Sequence, residues 1–147
     1  MKITTTGTAC AALGALAGLH ALWATERGGL TRAGSSVADT VAGLPPDRAP
    51  GPVACRTVAG LLGIAALLVA GHPRRLPLLQ RCGARTVVAV FGARGVGGLT
   101  GATAKLVPWT PSDRFRRLDR RYYGPLCILI AALAAPAARA RPALTRR

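Results

Sequence analysis

Four apolar stretches separated by basic loops constrain this chain more than any other feature of its sequence. They cover residues 4–24, 53–71, 86–107 and 122–138. Each is close to the ~20 residues that a helix needs to cross a bilayer. We therefore expect an all-α integral membrane protein, a single domain over residues 1–147 that forms a bundle of four transmembrane helices.

The segments between the stretches are polar and rich in residues that end helices. Residues 25–52 hold many Pro and Gly residues, which predicts an irregular loop. The short connection 71–85 predicts antiparallel neighbouring helices, and residues 108–121 and 139–147 form a basic loop and a basic tail. The first stretch is expected to stay as an uncleaved helix, because its apolar run continues to Ala24 without a clear cleavage site.

The charge of the chain is strongly positive, at +15 with only five acidic residues. In a soluble protein this charge would indicate nucleic acid as the partner. Here the basic residues cluster between the apolar stretches, and two Trp, two Tyr and two Phe residues offer little surface for base stacking. We therefore predict the lipid bilayer as the main partner and no nucleic acid. Nine Lys and Arg residues fall on one side of the four spans and ten on the other, so the positive-inside rule favours neither orientation.

Arg94 lies near the middle of the third stretch, where a charged side chain costs at least ~2.5 kcal/mol. Gly97, Gly98 and Gly101 follow it at helical spacing on the same face, so another helix can approach closely there. No Asp or Glu lies within the four stretches, which leaves backbone carbonyls, tyrosine hydroxyls or water as the expected partners. Arg94 then either ties helices together or contacts an anion or substrate in a polar cavity.

The first stretch carries His20, one helical turn before Trp23, and His20 and Arg94 form the candidate intramembrane polar site. Gly14 and Gly18 make a second pair of small residues suited to helix packing. A single His without a nearby acid supports acid–base catalysis poorly. We therefore assign no catalytic, metal-ligating or cofactor-binding residue, expect no cofactor, and favour a protein that is not an enzyme.

The basic loop 108–121 predicts contact with anionic lipid, because juxtamembrane Arg residues are attracted to anionic headgroups. Aromatic residues near the ends of the spans favour the headgroup level of the membrane. The candidate lipid contacts are Arg114, Arg116, Arg117, Arg120 and Arg121, and the interfacial aromatic residues are Trp23, Trp109, Tyr122 and Tyr123.

Three motifs resemble those of a known family. They are His20-x-x-Trp23-Ala24 at the end of the first stretch, Arg94 in a Gly-rich third stretch, and RFRRLDRRYYGPLC at Arg114–Cys127. The chain resembles a family of small bacterial membrane proteins, frequent in actinobacteria, that is classed only as a domain of unknown function. The resemblance implies four transmembrane helices and a multi-pass protein of the bacterial cytoplasmic membrane, and it supplies no activity.

Three functions are compatible with these patterns. The leading hypothesis is a non-enzymatic interaction or accessory protein that packs through Gly-rich helix faces, either as a homo-oligomer or against a larger membrane-protein partner. The alternative is an oligomeric pathway for small solutes or ions that is lined by Arg94. A membrane enzyme acting on lipid or quinone is the third hypothesis, and it has few catalytic groups to draw on.

Overall fold

A computed structural model describes residues 4–25, 40–41, 43–45, 48 and 50–139. Within these residues all regular structure is helical and no strand occurs, which confirms the all-α prediction for this part of the chain. Most of the predicted loop 25–52 and the tail after Arg139 lie outside the described residues. The elements are α1 (Thr5–Trp23), α2 (Pro52–Val69), α3 (Pro77–Thr100), α4 (Thr103–Leu106), α5 (Asp113–Leu118), a π-helical turn (Asp119–Tyr123) and α6 (Gly124–Arg139).

Local sequence signals set the ends of the first three helices. The Thr4 hydroxyl caps α1 by accepting a 3.2 Å hydrogen bond from the backbone N–H of Gly7. Pro52 and Pro77 open α2 and α3, at a position where the missing N–H would have no helical partner. Gly101 ends α3 in the left-handed conformation, with φ at 75°, which a glycine adopts without steric penalty.

The third apolar stretch has different bounds from those expected at 86–107. Helix α3 already begins at Pro77, inside the segment that was expected to be a connection, and it stops before Gly101. The polar residues of that segment therefore form the first turns of α3, because an exposed helix face accommodates basic side chains as well as a loop does. The remainder of the stretch turns away and forms the short helix α4.

The fourth apolar stretch continues a helix that begins before Tyr122. Ser112 caps this helix by accepting a 3.2 Å hydrogen bond from the N–H of Phe115. From there α5, the π-helical turn and α6 follow one another without a break. Nine of the 14 residues in the predicted basic loop 108–121 are therefore helical, and one of them is Asp119.

Three helices of the described part are long and apolar enough to cross a membrane. They are Thr5–Trp23, Pro52–Val69 and the continuous helix Asp113–Arg139. Helix α3 is less apolar, because it carries several Arg and Gly residues. The structure thus supports a membrane protein with three clear spans, where the sequence predicted four.

The long helices pack as antiparallel neighbours. The most extensive contacts join α3 to α6 and α1 to α2, and smaller contacts join α1 to α6 and α2 to α3. A core of small apolar residues lies where α1 and α3 begin and where α2 and α6 end, and we call it the apolar end. Its buried residues are Ala9, Leu13, Val69, Ala84, Val87, Ile130, Ala134 and Ala138. The opposite end contains Arg94 and the segment from Gly101 to Tyr123, and we call it the polar end.

Candidate functional site

An ion pair between Arg94 and Asp119 is the central feature of the polar end. Nη2 of Arg94 donates a hydrogen bond to Oδ1 of Asp119 at 2.7 Å, and Nη1 lies 3.4 Å from the hydroxyl of Thr103. The Asp119 side chain is 4% exposed, whereas that of Arg94 is 34% exposed. The pair joins the last part of α3 to the start of the π-helical turn and neutralises the charge that the sequence placed within the third stretch.

The π-helical turn places Asp119 against α3. The N–H of Gly124 donates to the carbonyl of Asp119, five residues earlier in the chain, so one extra residue is inserted into the turn. Such insertions in helices occur often at functional sites. The extra residue rotates the preceding part of the helix, and the Asp119 carboxylate lies beside Arg94.

Glycines bring α3 and α6 into direct contact around this pair. A Cβ atom on Gly95 would lie 2.7 Å from the side chain of Ile128, and one on Gly124 would lie 3.1 Å from the carbonyl oxygen of Gly95. At Gly98 a Cβ atom would lie 3.0 Å from Oδ1 of Asp119. These distances are shorter than normal van der Waals contacts, so a side chain at any of these three glycines would require its neighbours to shift.

Aromatic residues of the polar end hold part of the loop between α1 and α2. The indole N–H of Trp109 donates a 2.7 Å hydrogen bond to the carbonyl of Gly43, and the Tyr123 hydroxyl donates a 3.1 Å hydrogen bond to the carbonyl of Thr40. Gly43 has φ at 64°, and a Cβ atom there would lie 2.7 Å from the ring of Phe115. The loop backbone is therefore fixed where it crosses the aromatic side chains.

His20 lies apart from the ion pair, although the sequence grouped it with Arg94. Its Nδ1–H donates a 2.8 Å hydrogen bond to the carbonyl of Leu16. Its ring meets the ring of Trp23 edge-on, with 5.0 Å between the centroids. The structure thus brings His20 together with Trp23 and brings Arg94 together with Asp119.

The glycines predicted to pack helices fall into two groups. Gly98 lies at the α3–α6 contact, a Cβ atom on Gly97 would lie 3.1 Å from the Thr103 hydroxyl, and Gly101 is the helix-ending residue. Gly14 and Gly18 have open space where a Cβ atom would stand. The first group therefore packs within the chain, and the second group is exposed on the outer surface of α1.

The basic residues predicted to contact lipid are exposed on the polar end. Arg116 pairs with Asp113 at 3.6 Å, between two exposed side chains. Arg121 lies over the ring of Tyr122, with its guanidinium carbon 5.7 Å from the centroid. The remaining members of the predicted set are Arg114, Arg117 and Arg120.

No group of three or more His, Cys, Asp and Glu side chains is placed to hold a metal ion within the described ranges. Cys10, Cys55, Cys82 and Cys127 are free thiols. The Cys10 thiol donates a 3.5 Å hydrogen bond to the carbonyl of Ala66, which links α1 to α2.

The sequence interpretation missed Asp119, Thr103, Gly95 and Gly124. Asp119 was placed in a loop because it precedes the fourth stretch, but it lies in the helix Asp113–Arg139. The expectation that Arg94 has only backbone carbonyls, tyrosine hydroxyls or water as partners is therefore wrong. One signal was available in the sequence, because a Ser followed by Asp is typical of a helix start. Extending the fourth helix back to Ser112 would have placed an acid on it.

A sequence profile for "Protein of unknown function (DUF3995)" matches residues 13–134. The chain therefore belongs to the DUF3995 family, in agreement with the resemblance to a domain of unknown function. No curated protein matches the chain. No solved structure matches it either.

Proposed function

We propose that this member of the DUF3995 family is a multi-pass cell-membrane protein with four spanning helices, and that its role is to bind another transmembrane helix without catalysis. The observation that carries the proposal is an exposed face of small residues along α1. The partner helix belongs either to a second copy of this chain or to a larger membrane protein.

Helix α3 is suited to be the fourth span although it is less apolar than the others. Its 24 residues correspond to about 36 Å at 1.5 Å per residue, more than the ~30 Å of the hydrocarbon core. Arg94 is neutralised by Asp119. Arg81 and Arg85 lie in the first turns, where long basic side chains can extend to the headgroups.

The small face of α1 consists of Gly7, Ala11, Gly14 and Gly18, all exposed. Their spacing of three or four residues places them on one side of the helix. Only 11% of the spanning window of α1 is buried inside the chain, against 28% for the helix Asp113–Arg139. Since transmembrane helices associate through small residues that let backbones approach, this face is suited to a partner helix.

The ion pair weakens the alternative of a pathway lined by Arg94. A pathway for anions needs a guanidinium that is available to the passing solute, whereas Arg94 already contacts Asp119 at 2.7 Å. Its charge therefore serves to join α3 to the π-helical turn. The enzyme hypothesis gains no specific observation from the described residues.

The helix-binding proposal is tested by crosslinking in intact cells, followed by purification in a mild detergent and mass spectrometry. Gly14→Leu/Gly18→Leu should reduce the crosslinked fraction roughly tenfold, because bulky side chains separate the backbones. Gly92→Leu is the matched control on α3, since that glycine also has open space around it. The proposal is wrong if the crosslinked fraction of the double variant equals that of the control.

The fourth span is tested separately by the topology of the chain. Single cysteines placed near Arg74 and near Lys105, in a variant without the native cysteines, should be labelled from opposite sides of the membrane by an impermeant reagent. Labelling of both from the same side would show that α3 does not cross.

A further inference from the structure

The polar end contains a cavity of about 630 Å³ between the end of α3, the short helix α4 and the start of the helix Asp113–Arg139. This volume lies within the range of small-molecule sites, which is roughly 300–1,000 Å³. Gly98, Gly101 and the buried Asp119 form part of the wall. The other charged wall residues are Lys105, Asp113, Arg116, Arg117, Arg120 and Arg121, and we call the whole space the basic cavity.

The charge of the basic cavity is not balanced by its own acids. Asp119 is paired with Arg94, and Asp113 is paired with Arg116. Lys105, Arg117 and Arg120 are exposed and form no ion pair with any residue that the structure describes. Several cations therefore face one space with no acidic partner of their own.

The end of α3 accounts for only a small part of this positive charge. Helix C-termini carry the equivalent of about half a negative charge, and Gly101 marks that terminus at the cavity wall. One cation is enough to complement it. The remaining cations are available for a ligand.

The chemistry of these cations favours a phosphate group. Guanidinium groups match phosphate oxygens in a two-point geometry, and an ammonium such as that of Lys105 adds a further donor. Tyr122, an expected interfacial residue, directly follows the cavity residue Arg121, and the exposed apolar residues Val96 and Leu99 lie on α3 close in sequence to the cavity residue Gly98. A phosphate carried by a lipid would have its acyl chains beside these residues.

We propose that the basic cavity binds the phosphate of a phosphate ester, carried either by an anionic lipid headgroup or by a soluble molecule, with Lys105, Arg117 and Arg120 as its main contacts. This site is independent of the small face of α1. With this site, the polar end binds a ligand in addition to connecting the helices.

The test measures binding of phosphatidylglycerol by the full chain in a neutral detergent, with phosphatidylcholine as the uncharged comparison, by native mass spectrometry. The variant Lys105→Gln/Arg117→Gln/Arg120→Gln should weaken binding on the order of 100-fold, because each basic side chain near an anionic lipid contributes to affinity. The matched control is Arg74→Gln/Arg75→Gln/Arg85→Gln, three exposed cations near the apolar end. All six positions are exposed, so both variants should unfold at the wild-type temperature.

Competition by glycerol phosphate distinguishes the two sources of the phosphate. Displacement of the lipid with similar affinity supports a soluble phosphate ester, and retention of the lipid at millimolar competitor supports the lipid headgroup. Equal weakening in the two triple variants would show general electrostatic attraction and overturn the proposal. Failure of the wild-type chain to bind either phosphatidylglycerol or glycerol phosphate would overturn it as well.

Discussion

The apolar end and the polar end of this bundle are held together by different interactions. At the apolar end, apolar side chains such as Ala9, Leu13 and Ala134 are completely buried in one cluster. At the polar end, the contacts are an ion pair and hydrogen bonds between residues far apart in sequence, such as Tyr123 and Thr40. Close packing of apolar side chains stabilises the apolar end, and specific polar contacts stabilise the polar end.

This difference follows from what each end has to join. Regular helices satisfy their own backbone groups, so the apolar end needs only close packing. The polar end contains the two longer connections, from α1 to α2 and from α3 to the helix Asp113–Arg139, and the apolar end contains only the short connection 70–76. Backbone groups and charges in such connections need partners. In lipid, apolar packing gains less than in water because the acyl chains are as apolar as Leu. We therefore expect the polar end to contribute more to the stability of this particular fold.

Replacement of Arg94 by Leu should give the largest loss of stability. The substitution leaves the Asp119 carboxylate, which is 4% exposed, without its charged partner. The expected decrease in unfolding free energy is about 2–3 kcal/mol, less than for a fully buried pair, because the Arg94 side chain is 34% exposed. Steric-trap unfolding in detergent micelles measures this quantity.

The double variant Arg94→Leu/Asp119→Leu provides the control for the ion pair. This double variant removes the unpaired carboxylate as well. It should therefore recover at least half of the unfolding free energy that Arg94→Leu loses. A double variant as unstable as Arg94→Leu would mean that the guanidinium acts through packing and not through its charge.

Replacement of Gly124 by Ala should give the second largest loss. The new methyl group would stand 3.1 Å from the carbonyl oxygen of Gly95, so α3 and α6 must separate. Such overpacking costs typically about 1–3 kcal/mol. In Gly92→Ala the methyl group meets nothing within 4 Å, and the better helix propensity of Ala should leave the unfolding free energy equal or up to ~1 kcal/mol higher. Equal losses in the two variants would show that the close α3–α6 approach does not limit stability.

The sequence predicted the helices well and their ends less well. A run of apolar residues marks a helix wherever it lies, and most of each of the four stretches lies in a helix. The ends depend on single residues, such as Gly101 in the left-handed conformation and the capping Ser112. These signals are short and are easily outweighed by hydropathy, which is why the helix Asp113–Arg139 was expected to begin only at Tyr122.

The candidate site was predicted in part for the same reason. The sequence identified Arg94 because a charge in an apolar stretch is unfavourable, and it identified Gly98 by helical spacing. It did not identify their partner Asp119, because Asp119 lies among basic residues that are typical of a solvated loop. The insertion in the π-helical turn also changes the helical phase, so spacing counted back from Gly124 does not reveal which face Asp119 occupies.

Replacement of Leu13 by Ala tests the apolar end directly. Leu13 is 0% exposed, and the same substitution in a soluble protein costs about 2–5 kcal/mol. Here the transfer term is small because the unfolded helix contacts lipid, so we expect a loss of about 1–2 kcal/mol in the same unfolding measurement. A loss larger than that of Arg94→Leu would reverse the comparison and make the apolar end the main source of stability.

Replacement of Trp109 by Phe should give the smallest effect and a local one. It removes the 2.7 Å hydrogen bond to the carbonyl of Gly43 and keeps an aromatic ring. The free energy that holds the loop in place should therefore fall by about 1 kcal/mol. Because this bond fixes the loop and not the helices, the variant should unfold near the wild-type temperature but be cut faster by protease around residues 43–45. Trp23→Phe is the matched control, since the Trp23 ring lies beside His20 on α1. Equal cleavage rates in the two variants would show that the loop is held by Phe115 and Tyr123 without the indole, and would restrict the polar contribution of this end to the Arg94–Asp119 pair.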